Sequence, residues 1–296
     1  MTIINRKSVI EKLKELKEKG FEVPSEDMIK TNDEIEKIKE ASKINTALLD
    51  FISENIKPGM TTEEIDTIAN EFVISKGAES TLIDYPNGPR THKFPKSISL
   101  SINDEIYFGV PSSNIVLKDG DIVNIDTHIR YQGYCSDASR MFMIGNVSDE
   151  AKRLVKVANE CLYKGIEAVK PWGHIGDIID AVEKHAENNG YSVFNLMGHG
   201  VGRNVPEEPV FGPNGIGGMG VVLGNTPTLG TNKVGKGMIL VPGMVISIEP
   251  AINEGERDWN VDRDNGFTIY TNDKKLSAQW EHTMLVTEDG VEILCK

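Results

Sequence analysis

Asp126, Asp137, His199, Glu249 and Glu281 fall in an order and spacing that suits a pair of divalent metal ions, and each sits in a short segment that reads as strand. From Ile122 to Arg130 the chain alternates with period two. Val123, Ile125, Thr127 and Ile129 take one face, and Asn124, Asp126 and His128 the other. The apolar face is the core side, so Asp126 and His128 look together into a cavity. A hairpin folding near Tyr131-Gln132-Gly133 brings Asp137 roughly opposite Asp126, at a cross-strand Cβ separation of about 4.5–5.5 Å. Carboxylates that close resist ionising together unless cations lie between them. Glu249 and Glu281 add two more acids, and four carboxylates in one pocket call for two divalent ions about 3.5–4 Å apart. His199, between Gly198 and Gly200, supplies one imidazole. A carboxylate-rich set with one nitrogen favours Mn²⁺, Fe²⁺ or Co²⁺ over a tetrahedral structural Zn²⁺. Any one of these acids alone reads as a solvated or turn residue; the joint pattern carries the assignment.

The elements around them follow from caps and breakers. The first thirty residues read as a helix and a connector, a helical extension ahead of one domain over 31–296. A long helix runs from about Asp33, capped at Thr31 or Asn32, to about Asn55, where Pro58-Gly59 stops it. Thr61 and Glu64 form a capping-box pattern opening a further helix to about Lys76. Strand-like segments fill 80–109, a hairpin follows, and helices span about Asp149–Val169 and Ile175–Asn189. Further strand-like pieces lie near 191–203, 244–252, 266–270 and 280–286. Each half reads as helices followed by antiparallel strands, which gives an α+β fold of two similar halves with the helices covering one sheet face. Between Pro209 and Pro242 lies a Gly-rich stretch, centred on 211–237, long enough to suggest a functional loop such as a lid, or disorder.

Composition removes other classes. With 39% hydrophobic and 26% charged residues the 296-residue chain can bury a full core. Its longest apolar runs, Met238–Val241 and Met244–Ile248, are far short of the roughly 18–20 residues of a membrane span, and a signal peptide's apolar region is lacking, so a cytoplasmic protein is expected. Cys135, Cys161 and Cys295 lack CxxC spacing and read as reduced, structural thiols. A net charge of −13 argues against broad nucleic-acid binding. Residues 6–19, with six basic and three acidic side chains and Ile10, Leu13 and Leu16 at helical spacing, fit either an amphipathic surface helix or a contact to an anionic partner such as the ribosome.

Several stretches carry a family resemblance: Pro95 to Asn103 (Pro-Lys-Ser-Ile-Ser-Leu-Ser-Ile-Asn), Leu117 to Asp126, Gly198 to Arg203 (Gly-His-Gly-Val-Gly-Arg), Glu207-Glu208-Pro209, Ile248-Glu249-Pro250, and Leu276 to Thr283 (Leu-Ser-Ala-Gln-Trp-Glu-His-Thr). From about residue 29 to the end the chain resembles type I methionine aminopeptidase. The resemblance implies the pita-bread fold, two divalent metal ions, and a peptide or nascent-protein N-terminus as substrate. It gives Glu249 a double role as metal ligand and proton acceptor. It also implies a side-chain pocket of Phe94, Ser99, Phe108, Val205 and Phe267, apolar enough for an unbranched thioether. Prolidase and aminopeptidase P share the five ligands but usually carry a large N-terminal domain that this chain lacks.

Two positions depart from the family. Phe108 stands where a histidine contacts the scissile amide, and Pro206 where a second polarises the scissile carbonyl. Loss of one preorganised donor typically lowers the rate by about 10²–10³-fold. His128, where type I enzymes usually carry a small polar residue, is a candidate for supplying the lost proton or hydrogen bond, or for bracing a ligand carboxylate. The leading expectation is a dimetal aminopeptidase. The alternatives are a diverged metal-dependent paralogue acting on a specialised peptide or small amine, and a non-catalytic binding module of the same fold.

Overall fold

The computed structural model describes residues 3–86, 93–194, 197–212, 228–230 and 234–296. Its helices begin where side chains can satisfy free backbone N–H groups. Helix α1 (Arg6–Glu18) starts at Asn5, whose side chain accepts from the Ser8 N–H. Helices α2 (Asn32–Asn55) and α3 (Thr62–Ser75) each open on a reciprocal capping box, Thr31 with Glu34 and Thr61 with Glu64. Ser148 caps α4 (Asp149–Ala168), and α5 (Ile175–Asn188) follows it. The sequence-based boundaries agree with these to within one residue.

In the first half the strands are β1 (Glu79–Ser80), β2 (Ser99–Ile102), β3 (Glu105–Tyr107), β4 (Ile122–Tyr131) and β5 (Tyr134–Met143). Strand β4 is the axis of a four-stranded sheet, with β1 and β2 on one edge and β5 on the other. The second half contributes β6 (Ser192–Val193), β7 (Gly198–Gly200), β8 (Glu207–Gly212), β9 (Thr228–Gly230), β10 (Val245–Ile248) and β11 (Ala251–Asn253). It continues with β12 (Trp259–Val261), β13 (Ile269–Thr271), β14 (Ser277–Gln279), β15 (His282–Val286) and β16 (Val291–Cys295). Its largest sheet runs β16-β15-β10-β7-β8-β9, antiparallel except for the parallel β8–β9 pair. Beyond β9 and the end of β8, the Gly-rich 211–237 stretch lies mostly outside the described residues.

The helices lie on the outside of this pita-bread arrangement. Leu48, Ile52, Ile65 and Ala69 of α2 and α3 pack on Val123, Ile125 and Ile129 of β4, as the alternation of β4 requires. Leu154, Ala158, Ile178 and Val182 of α4 and α5 pack on Ile246, Ile248 and Ile252. Ile4, Val9 and Leu13 of the N-terminal segment join that second cluster. Thr127, the polar residue on the core face of β4, is matched by Asn45 of α2: its hydroxyl donates to Asn45 Oδ1 at 2.7 Å, and Asn45 Nδ2 donates to the Thr127 carbonyl at 2.9 Å.

The β4–β5 hairpin corrects one expectation. Tyr131 pairs with Tyr134 across a two-residue turn, Gln132-Gly133, with φ of +50° and +81° at the two positions. Positive φ at both central residues is the signature of a type I′ turn, which matches the twist of the strands. The register therefore sets Asp137 opposite His128, and Asp126 opposite Ser139. Asp137 is diagonal to Asp126, and a histidine stands where the sequence placed a second carboxylate.

The connection from β2 through β3 delivers Phe108 and depends on a half-buried acid. Glu105 accepts from the Ile102 N–H at 2.8 Å and the Tyr270 hydroxyl at 3.2 Å, and burial pushes its carboxyl up to about 7. Between the ordinary carboxylate range and that value the folded state holds a proton the unfolded chain has released. Stability therefore falls as pH rises through this window and stays lowered above it. Glu105→Gln is expected to raise the melting temperature relative to wild type more at about pH 8 than at about pH 4.5, with an upper bound of about 3 kcal/mol on the difference; thermal denaturation at both pH values checks it.

Candidate metal centre

The cavity floor is built from three strands and the ends of two more. Asp126 and His128 project from the same face of β4, and Asp137 from β5. His199 comes from β7; Glu249 lies just past β10, before Pro250 interrupts the ladder, and Glu281 just before β15. All six are buried, Asp137 completely. The halves meet here: Ser139 and Glu281 exchange backbone hydrogen bonds, and the Thr283 hydroxyl donates to the Asp137 carbonyl at 2.6 Å. The five acidic and imidazole residues picked from the sequence are thus brought into one cluster.

Asp137 is its centre. His199 Nε2 lies 3.3 Å from Asp137 Oδ2, 3.3 Å from Glu249 Oε1 and 3.9 Å from Glu281 Oε1. His128 Nε2 lies 3.3 Å from Asp137 Oδ1 and 3.4 Å from Asp126 Oδ2. The ring of His199 is oriented by its other nitrogen: Nδ1 is 3.0 Å from the Gly200 carbonyl, which can only accept, so Nδ1 carries a proton and Nε2 is the nitrogen that faces the cavity. The Ser247 hydroxyl oxygen accepts from the His199 backbone N–H at 3.2 Å and holds the β7 backbone.

The electrostatics show what the cluster lacks. Burial and the charge of Asp137 push both Glu249 and Glu281 well above the ordinary carboxylate range, and burial raises Asp126 as well. Burial also acts to raise Asp137, but the flanking His128 and His199 outweigh it and hold this carboxyl low. Burial disfavours a charged His128, yet Asp137 and Asp126 overcome this and raise it to about 9. Among the described residues, Asp126 Oδ1, both Asp137 oxygens, Glu249 Oε1 and Glu281 Oε1 are buried without a hydrogen-bond partner. Buried carboxylate oxygens left unpaired are strongly unfavourable unless a cation meets them. Side chains of this cluster form two compact donor sets, Asp126-His128-Asp137 and Asp137-His199-Glu281, that share Asp137. The residues present fit divalent cations.

The surrounding shell contains residues that the sequence reading missed. The Tyr107 hydroxyl donates to the Glu249 carbonyl at 2.8 Å, and Gln279 Nε2 approaches Glu249 Oε2 at 3.4 Å. Asn124, on the cavity face of β4, fixes that glutamine by donating to its carbonyl at 2.8 Å. The Tyr85 ring stands edge-on to His128, with centroids 6.5 Å apart and planes at 85°, and stacks near Phe108 at 6.4 Å. Burial and the charges of Asp137 and Glu249 keep its phenol protonated. Gln279 was within reach, two residues before Glu281; nothing in its spacing marked Tyr85.

Of the expected side-chain pocket, Phe94, Phe108 and Phe267 come together, with Phe94 5.2 Å from Phe267 and 6.3 Å from Phe108. Ser99 pairs with Asp126 across the β2–β4 ladder, and Val205 packs in the larger core cluster. Phe108 adopts φ +56°, a left-handed conformation rare for a bulky residue. Its carbonyl accepts from the Thr268 hydroxyl at 3.2 Å, and Gly109 follows because a Cβ there would lie 2.0 Å from the Leu100 carbonyl oxygen.

Residues 36–288 match the Peptidase_M24 model, metallopeptidase family M24. The chain belongs to this family. Among M24 proteins it is 45% identical to methionine aminopeptidase A of Synechocystis sp. over 266 residues, 88% of this chain and 94% of that protein. The crystal structure of methionine aminopeptidase from Rickettsia prowazekii superposes with a TM-score of 0.80 at 36% identity, covering 90% of this chain and 99% of that one. That from Thermotoga maritima gives 0.79 at 33% identity, covering 90% and 98%. M24 membership implies the use of divalent metal, in keeping with the unpaired oxygens.

Because both donor sets share Asp137, its loss is expected to remove metal binding as a whole. Added Mn²⁺ or Co²⁺ at about 100 times its dissociation constant stabilises a single-site fold by about 2.7 kcal/mol. Wild type is expected to show a rise in melting temperature of that order and Asp137→Asn none, measured by calorimetry with and without metal.

Proposed function

We propose that this M24 protein is a metal-dependent aminopeptidase that removes the N-terminal residue, methionine above all, from peptides or nascent proteins. The observation that carries the reading is the buried carboxylate–imidazole cluster, linked through the Tyr85 ring to the aromatic group of Phe94, Phe108 and Phe267, in a chain similar to methionine aminopeptidases. Asp126, Asp137, His199, Glu249 and Glu281 would hold two divalent cations, of Mn, Fe or Co type from the donor set. Bound there, such a pair lowers the pKa of a water molecule and polarises a carbonyl. The chain's own residues do the rest. Glu249 accepts the proton of the attacking water at its carboxylate, which Tyr107 and Gln279 keep aimed into the cavity. The three phenylalanines receive an unbranched thioether and exclude water from it. The pocket assignments of Ser99 and Val205 belong to the same proposal, as does the division into an extension over 1–30 and a catalytic domain over 31–296. A ribosome contact through the basic helix α1 and a cytoplasmic location fit a nascent-chain substrate.

Phe108 and Pro206 favour a second reading, a narrow substrate range. Phe108 offers no side-chain donor, and Pro206 has neither a donor side chain nor a backbone N–H. A substrate must then be aligned mainly by its own fit. The test is mass spectrometry of the metal-reconstituted protein and of Glu249→Ala with peptides varied at the first two positions. Wild type is expected to release N-terminal methionine, at a rate at least about 10²–10³-fold below that of a site with both histidine donors. Glu249→Ala is expected to be inactive. Release from one specialised peptide alone would select the second reading, and no release from any metal-loaded sample would exclude methionine removal.

A further inference from the structure

We propose that His128 is itself a metal ligand, so that each of the two cations has one imidazole. This deepens the metallopeptidase reading above and rests on it. The sequence leaves His128 as a stand-in proton donor or a brace for a neighbouring carboxylate; the geometry points to direct coordination.

The spacing of the donor atoms separates coordination from pairing. A protonated imidazole bonded to a carboxylate lies about 2.7–2.9 Å from it. Two donors held side by side on one cation at roughly 2.1 Å lie about 3.0 Å apart at a right angle, and further apart as the angle opens. His128 Nε2 stands 3.3 Å from Asp137 Oδ1 and 3.4 Å from Asp126 Oδ2, equidistant from both and beyond the range of a short charged hydrogen bond. His199 Nε2 keeps the same 3.3 Å to Asp137 Oδ2 and to Glu249 Oε1. The two imidazoles thus repeat one relation on the two oxygens of Asp137, neither of which has a hydrogen-bond partner. His128 is buried, so its nitrogen is aimed into the cluster and away from solvent.

The two sites are unequal. His199 is oriented by the Gly200 carbonyl on its Nδ1, whereas Nδ1 of His128 is buried without a partner and the ring is held by the edge-on Tyr85. An imidazole whose outer nitrogen has a partner binds metal about 10–100-fold better than one without. The cation between Asp126 and His128 is therefore the weaker one. Its nitrogen donor also moves it away from Mn²⁺ and toward Fe²⁺ or Co²⁺ in preference.

Two readouts test this without reference to turnover. In proton NMR of the Co²⁺-loaded wild type, each coordinated imidazole gives one strongly shifted, exchangeable ring N–H resonance. One such resonance is expected with the first equivalent of Co²⁺ and two with the second. In calorimetric titration, His128→Asn is expected to keep the tight first binding event and weaken the second at least tenfold, with Mn²⁺ affected less than Co²⁺. A single shifted resonance in fully loaded wild type, or a second binding event unchanged in His128→Asn, would overturn the assignment while leaving the metallopeptidase reading intact. A wild type that binds no Co²⁺ would overturn both.

Discussion

The arrangement turns on the mutual repulsion of four buried carboxylates around Asp137, and on what relieves it. A protein interior does not tolerate unpaired negative charge, and here burial and neighbouring acids already push Glu249, Glu281 and Asp126 toward the protonated form. Asp137 stays ionised because an imidazole stands at each of its oxygens. A structural role gives no reason to gather these groups, since apolar residues of like volume would fill the same space with less penalty. Divalent cations supply the missing countercharge, and the fold of two facing halves exists in the form that delivers acids from both.

The rest of the architecture serves that requirement. Strands β4 and β5 bring Asp126, His128 and Asp137; β7 and the ends of β10 and β15 bring His199, Glu249 and Glu281. The Ser139–Glu281 exchange and the Thr283 hydroxyl on the Asp137 carbonyl tie the two groups at the point of closest approach. Outside, α2 and α3 back the first sheet and α4 and α5 the second, so the ligands stand on strands clamped from behind by packed cores. That rigidity is what a site holding several like charges needs. Phe108 and Pro206, which offer no side-chain donor, and His128, which faces the carboxylate cluster, are the departures from the expected methionine aminopeptidase pattern that the sequence reading singled out.

Much of this was legible in the residues. Alternation along Ile122–Arg130 placed Asp126 and His128 on the cavity face, and the Thr31 and Thr61 capping boxes placed α2 and α3, because both signals are local. The hairpin register was not, because it hangs on backbone dihedrals at Gln132 and Gly133; moving the turn shifted Asp137 from Asp126 to His128. Short strands such as β12 and β16, and the aromatic shell of Tyr85 and Tyr107, depend on partners far away in sequence. Phe194, Tyr107 and Phe267 share one cluster though 160 residues separate the last two. Val205, a pocket residue by the family resemblance, packs in the larger core cluster, a contact that its own stretch of sequence does not announce.

The most direct test of the central claim is anomalous diffraction from crystals grown with Co²⁺, collected on either side of the cobalt absorption edge. Two peaks about 3.5–4 Å apart, one beside each oxygen of Asp137, are the expected result. No peak in this cavity, or a single peak with the Asp126 and His128 side chains turned away from it, would contradict the account of a paired-cation centre.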